Sequence, residues 1–328
     1  MVSPTTPPTL SSFSFLSSFF FLRSSTVGFG SDIGGYRCCD SKHGPPLPPQ
    51  GRSKELFLRW AQMGAVCSLM ENGGDNDHGP WMFDNQTVDI YRNFVNIHYE
   101  LKPYLLNAGT TAYYSNVSIM KPVANRTDEA PSTWDYYLWS DIFVSPVVDN
   151  VTSQTIEFPD DKSCWVDWFN SSAVFCGPLK VHFKVPIDRF PIFQRQGSVL
   201  PLSVTTDDSS FGTSLSADAL TVSIPLPSLP AKRHERTILR EWKGPSQEIE
   251  YLLSAHEMVV RATSHERALL FRLSNTSSIP QSVSLNGVSV PRSIDAHPTA
   301  SWHFDASQQL LWIHTGPSSP GLSMVINW

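Results

Sequence analysis

The period of the apolar residues changes near residue 120, and that change divides the chain. Before it, apolar side chains recur at helical spacing. Ser53 can cap a helix over 54–70, with Leu56, Phe57, Trp60, Ala61 and Ala65 in register. A second helix is predicted over 87–101, with Val88, Tyr91, Val95 and Tyr99 on one face. Pro103 ends or kinks it, and a third piece runs to about 114. After residue 120 the period is 2. Short runs at 142–148, 155–158, 164–169, 181–185 and 192–200 are bounded by Pro, Gly, Asn or Asp, which predicts an antiparallel sandwich. Residues 203–218 are rich in Ser, Thr and Asp and read as a linker. A second β-rich block follows, in which Asn286-Gly287 is the strongest hairpin signal.

Composition narrows the function classes. Charged residues are 16%, against a globular average of about 25%, and Pro is 26 of 328. Such a balance suits a β-rich extracellular or luminal chain. The net charge is −6, with no basic run, which argues against nucleic acid as a partner. No run of about 20 apolar residues is present, so no membrane-spanning helix is predicted.

The five cysteines lack zinc-site spacing. Cys164 and Cys176 flank a predicted hairpin with its turn near 170–172 and can bridge. Six acceptor triplets for N-glycosylation begin at Asn85, Asn116, Asn125, Asn150, Asn170 and Asn275, which points to the secretory pathway or the exterior. Residues 1–27 differ from the rest. Their apolar, Ser-rich stretch at 13–22 has the length of a signal core but no basic segment before it, so a signal peptide and a misread start both stay open.

Two segments suggest chemistry. In Gly30-Ser-Asp-Ile-Gly-Gly-Tyr36, Asp32 precedes a glycine pair. On spacing alone this is a tight turn capped by its own Asp, or a carboxylate projecting from a strand end. In Met70-Glu-Asn-Gly-Gly-Asp-Asn-Asp-His-Gly-Pro-Trp81, acids, amides and His78 share a Gly-rich loop. That composition fits a functional loop and a solvated one alike. The loop lacks the ligand pattern of a calcium site. Pro80-Trp81 is expected to anchor its far end.

These segments, in this order, resemble glycoside hydrolase family 31. So do Lys54-Glu-Leu-Phe-Leu-Arg-Trp60, Leu101-Lys-Pro-Tyr104, Ser118-Ile-Met-Lys-Pro122 and Asp141-Ile-Phe-Val-Ser-Pro-Val147. Trp165-Val-Asp-Trp-Phe169, Pro186-Ile-Asp-Arg-Phe-Pro-Ile-Phe193 and Gly197-Ser-Val-Leu-Pro-Leu202 continue the match. The resemblance covers about residues 28–202 and implies the C-terminal part of an α-glucosidase-like enzyme. The implied fold is mixed, an incomplete (β/α)8 TIM-barrel end followed by two all-β sandwich domains. The implied domains are an atypical N-terminus at 1–27, the barrel end at 28–118, a proximal β-sandwich at 119–204 and a distal β-rich domain at 205–328.

The resemblance implies a retaining α-glycosidase that hydrolyses terminal O-glycosyl bonds of a carbohydrate substrate, with no metal or organic cofactor. Its nucleophile and acid/base lie upstream of the Asp32 motif, so no residue of this chain is expected to be catalytic. Asp32 and Tyr36 match residues lining the sugar pocket. Many members carry Arg-Asn-His in the strand-eight loop, where this chain has Glu71-Asn72-Gly73. Asn72 is then a candidate sugar contact, and His78 a substitute for the missing His. Asp167 falls in a β-hairpin and is expected to be structural. The alternative function is a catalytically inactive pseudo-glycosidase, or a β-sandwich carbohydrate-binding or interaction module.

Overall fold

A computed structural model describes residues 28–36, 53–73, 79–123, 134–159, 162–205, 211–213, 216–227, 233–239, 247–265, 267–293, 299–316 and 319–328. Helix α1, Lys54–Ala65, begins at Ser53, whose Oγ accepts from the Leu56 amide at 3.1 Å. It stops five residues short of the predicted end, because residues 69–71 leave the helix to run beside residues 29–33.

Helix α2, Asn85–Glu100, is capped by Asp84, which accepts from the Thr87 amide at 2.8 Å. Lys54 pairs with the same carboxylate at 2.8 Å. The hydrogen bonds from Lys54 and Thr87 hold the Asp84 carboxyl down at about 2. The buried face of α2 is Thr87, Ile90, Phe94 and Ile97, whereas Val95 and Tyr99 are exposed. Two apolar stripes run along this helix at the same period, and tertiary contact selects between them. Phe94 meets Phe169 and Phe190 edge-on at 6.2 and 6.5 Å, while Tyr91 stacks on Phe57 at 5.4 Å. Helix α3, Lys102–Ser115, carries Pro103 in its first turn and ends at left-handed Asn116.

Eight strands follow: β1 Met120–Pro122, β2 Tyr136–Leu138, β3 Ile142–Val144, β4 Ser153–Phe158, β5 Cys164–Asp167, β6 Asn170–Cys176, β7 Leu179–Lys184 and β8 Ile192–Arg195. Six form one sheet in the order β1-β2-β3-β8-β5-β6, and β4 pairs with β7. Aromatic rings fill the space behind them. Phe158 lies 4.9 Å from Phe175 and 5.0 Å from Phe193, and Phe143 lies 5.5 Å from Trp165. Cys164 pairs with Cys176 across β5 and β6, and the two form a disulfide with Cα atoms 4.0 Å apart. The turn between these strands falls at Trp168 and Phe169, one step earlier than predicted. Asp167 is buried there, salt-bridged to Arg189, and accepts from the Phe169 amide at 2.8 Å. Burial raises its carboxyl from the ordinary value, with Arg189 opposing. Asp167 is thus a structural residue of the hairpin.

The remaining strands are β9 Leu200–Leu202, β10 Ala219–Pro225, β11 Arg233–Leu239, β12 Gln247–Leu253, β13 Glu257–His265, β14 Ala268–Ser274, β15 Ser282–Leu285, β16 Val288–Ser289, β17 Ser301–Asp305, β18 Leu310–His314 and β19 Ser319–Asn327. They build a five-stranded sheet, β17-β18-β14-β10-β9, against a six-stranded one, β11-β12-β13-β19-β15-β16. Val222, Phe271 and Ile313 of the first meet Tyr251, Val260 and Met324 of the second in one core. The predicted strand over 192–200 is two strands in different sheets, separated by Gly197 at φ +79°. A Cβ at Gly197 would meet the Arg233 guanidinium at 2.4 Å. Asn286 and Gly287 both have positive φ and turn β15 into β16, as the hairpin signal predicts.

The helical segment and the first sheet share one core, from Ile33 and Phe57 through Phe193 to Phe211. Arg59 of α1 ties them together. Its buried guanidinium donates to the carbonyls of Val185 at 2.6 Å and Arg189 at 2.9 Å, and Nε donates to Glu55 at 2.9 Å. Gln62 adds a bond to the Ile187 carbonyl at 2.6 Å. Arg59→Ala strips partners from buried carbonyls and should cost about 3–5 kcal/mol, read as a lower urea midpoint. A loss below about 1 kcal/mol, the scale of an exposed ion pair, would contradict this.

Candidate active-site loops

Residues 28–33 and 69–71 are two short parallel segments. The Phe29 amide donates to Ser68 Oγ at 2.7 Å, the Leu69 amide to the Phe29 carbonyl at 3.0 Å, and the Ile33 amide to the Glu71 carbonyl at 3.1 Å. Asp32 and Glu71 are bridge partners in parallel sense. Gly30 permits the approach, since a Cβ there would lie 2.5 Å from the Leu69 carbonyl oxygen. α1 connects the two segments and packs beneath them, and Trp60 Nε1 donates to Ser31 Oγ at 2.8 Å. This is a strand–helix–strand unit, with both chain-forward ends on the same side.

Asp32 and Glu71 therefore come together at those ends. The chain turns after Asp32, with the Gly35 amide donating to the Asp32 carbonyl at 2.8 Å and both glycines at positive φ. The half-buried Asp32 carboxylate faces the chain at Gly73, just past the second segment, since a Cβ on Gly73 would come within 2.9 Å of Oδ1. Asn72 is exposed, and its Nδ2 donates to the Tyr91 hydroxyl at 3.3 Å. Burial raises the Tyr91 phenol, with the Asn72 bond opposing. Tyr36 sits past the turn and is 54% exposed.

His78 lies outside the described residues, as do Asp75 and Asp77. Pro80 is buried, but Trp81 is 74% exposed, so the loop's far end is held by Pro80 and not by the indole. Cys67 is fully buried, and burial pushes its thiol up to about 12, which disqualifies it as a nucleophile at neutral pH. Among the described residues, no group of three or more His, Cys, Asp or Glu side chains could hold a metal ion. No described helix is long and apolar enough to cross a membrane.

Comparison with known proteins gives this geometry its context. The description "Glycosyl hydrolases family 31 TIM-barrel domain" matches residues 20–108, and "Glycosyl hydrolase family 31 C-terminal domain" matches residues 116–200. The chain belongs to glycoside hydrolase family 31. It is similar to human "Neutral alpha-glucosidase C", at 27% identity over 60% of this chain and 21% of that protein. It is also similar to "Alpha-xylosidase" of Saccharolobus solfataricus, at 26% identity over 45% of this chain and 21% of that one. The chain thus spans about a fifth of the length of these curated relatives. Among solved structures, the cycloalternan-forming enzyme of Listeria monocytogenes superimposes with a TM-score of 0.77 at 18% identity, covering 93% of this chain and 30% of that one.

The fold is therefore the end of a family 31 barrel followed by β-domains. The two parallel segments lie within the residues that match the family's TIM-barrel domain. Sequence reading missed Ser31–Trp60 and Asn72–Tyr91, whose only signal was the placement of two aromatics on helical faces.

The strand pair can be tested through its glycines. Gly30→Ala should destabilise the chain by about 1–3 kcal/mol and deprotect the Leu69 amide in hydrogen exchange. Gly28→Ala, with nothing within 4 Å of the added carbon, should leave both unchanged. Equal effects at the two positions would refute the close approach.

Proposed function

We propose that this chain supplies the strand-seven and strand-eight side of the sugar pocket in a retaining α-glycosidase, an α-glucosidase by the names of several relatives. The observation that carries this is the Asp32 carboxylate held against Gly73 at the ends of two adjacent parallel segments. A retaining enzyme uses two carboxyl groups about 5–5.5 Å apart, one attacking the anomeric carbon and one protonating the leaving oxygen. By the family resemblance those two belong to earlier barrel strands. Asp32 has a binding role in this reading. Its carboxylate accepts from sugar hydroxyls, and its charge favours the cationic oxocarbenium-like transition state. The family resemblance adds Tyr36 and Asn72 as further contacts to the sugar, and His78, outside the described residues, as a candidate contact.

Two measurements test this. Mapping the 5′ end of the transcript should find upstream coding sequence with the acidic residues of the earlier strands. In the protein that carries both parts, Asp32→Asn should lower kcat/KM on an aryl α-glucoside by about 1–3 kcal/mol or more, while residues 1–328 alone should give no turnover. Turnover by residues 1–328 that Asp32→Asn abolishes would overturn this and make Asp32 catalytic. A transcript that starts at Met1 would favour a non-catalytic binding module.

We further propose that the protein follows the secretory route, which the Cys164–Cys176 disulfide supports. Asn116 at the α3 C-cap and Asn150 are exposed acceptors. Asn275 is different, because it is half-buried and its Nδ2 donates to the Leu226 carbonyl at 2.7 Å, so a sugar on that nitrogen would be crowded against Leu226. Asn125 lies outside the described residues. Glycopeptide mapping of secreted material should find Asn116 and Asn150 occupied and Asn275 bare. Full occupancy at Asn275 would contradict the fold around β14.

A further inference from the structure

A second cleft lies where α3, the β2–β3 turn, the β8–β9 turn and β11 meet. Its volume is about 350 Å³, within the range of small-ligand sites. Asn107 and Thr111 face it from α3, Trp139 and Asp141 from the β2–β3 turn, and Arg195 and Arg236 from the strands. None of these belongs to the Asp32–Gly73 loops.

The charges at this cleft are already matched. Arg195 pairs with Asp141 at 2.7 Å, Arg233 with Glu235 at 3.0 Å, and Arg236 with Glu248. The Tyr104 hydroxyl lies 3.4 Å from the other Asp141 oxygen. An anion would have to break an arginine pair, and a cation would have to displace an arginine. A neutral ligand with many hydroxyls needs neither, since paired ions still offer side-on donors and acceptors.

Trp139 supplies the apolar element. It is a bulky residue at φ +56°, a backbone state that persists only where its surroundings enforce it. Its amide donates to the Ile119 carbonyl at 2.6 Å, and the Lys121 ammonium covers its ring 4.1 Å from the centroid. The ring is thereby fixed at the cleft wall between Lys121 and the core, and the part of its edge left accessible there is the apolar contact a pyranose would meet.

We propose that this cleft is a further carbohydrate-binding site, taking one or two pyranose units of a neutral oligosaccharide. The choice of sugar rests on the family reading above; the cleft's polarity and its fixed indole do not.

Calorimetric titration with maltotriose tests it, run on the full chain in both the wild-type and Asp32→Asn backgrounds. The second background removes the loop contact, so the cleft is read apart from the proposed pocket. Saturable binding should survive Asp32→Asn. It should weaken about tenfold with Trp139→Ala and severalfold with Arg236→Ala. Arg236 is exposed, so that variant keeps the test alive if Trp139→Ala does not fold. Binding lost in the Asp32→Asn background, insensitive to both cleft variants, or absent altogether would overturn the proposal. So would sulfate that binds and displaces the sugar.

Discussion

One guanidinium holds the helical segment to the sheet behind it. The loop 185–189 between β7 and β8 makes one internal turn bond, from the Arg189 amide to the Pro186 carbonyl at 2.9 Å, which leaves the carbonyls of buried Val185 and half-buried Arg189 to find partners elsewhere. Arg59 answers with a planar fork that reaches Val185 and Arg189 together, while Glu55 balances its charge. With the loop fixed, Arg189 can reach Asp167 and Phe190 can meet Phe94. The hairpin β5–β6 and the buried face of α2 therefore depend on the same anchor.

Other contacts run between the same layers. The Tyr136 hydroxyl donates to the Val66 carbonyl at 3.1 Å, just where α1 gives way to the segment 69–71. His98 on α2 lies 3.1 Å from the Ala65 carbonyl at the end of α1, and burial lowers its pKa. The sheet and α2 thus hold the helix end from two sides, and that end sets where Glu71 and Asn72 emerge. The position of Asp32 against Gly73 is decided as much by β2 and α2 as by the loops themselves.

Local signals in the sequence were legible where one residue determines one geometry. Ser53 marked the start of α1, Asn286-Gly287 the hairpin, and the cysteine spacing a bridged pair of strands. The Asp32 motif marked the turn that ends the first of the two candidate-site segments. What stayed hidden was set by partners distant in sequence. The end of α1 depends on Phe29, and the face that α2 buries depends on Phe169 and Phe190. The parallel pairing of β10 with β14 leaves no trace, because an alternating pattern specifies which side is buried but not which strand lies alongside. Trp139 gave no signal, since local preference argues against a bulky residue at positive φ.

The last strand of the fold is not at an edge. β19 lies between β13 and β15 and pairs with both. On a ribosome, the six-stranded sheet has no centre until residues 319–327 have emerged. Until then β12–β13 and the β15–β16 hairpin each expose an unpaired edge, and their association waits on a contact between residues far apart in the chain. The distal sandwich should therefore mature later than the first sheet, and be in greater need of a chaperone while translation is under way.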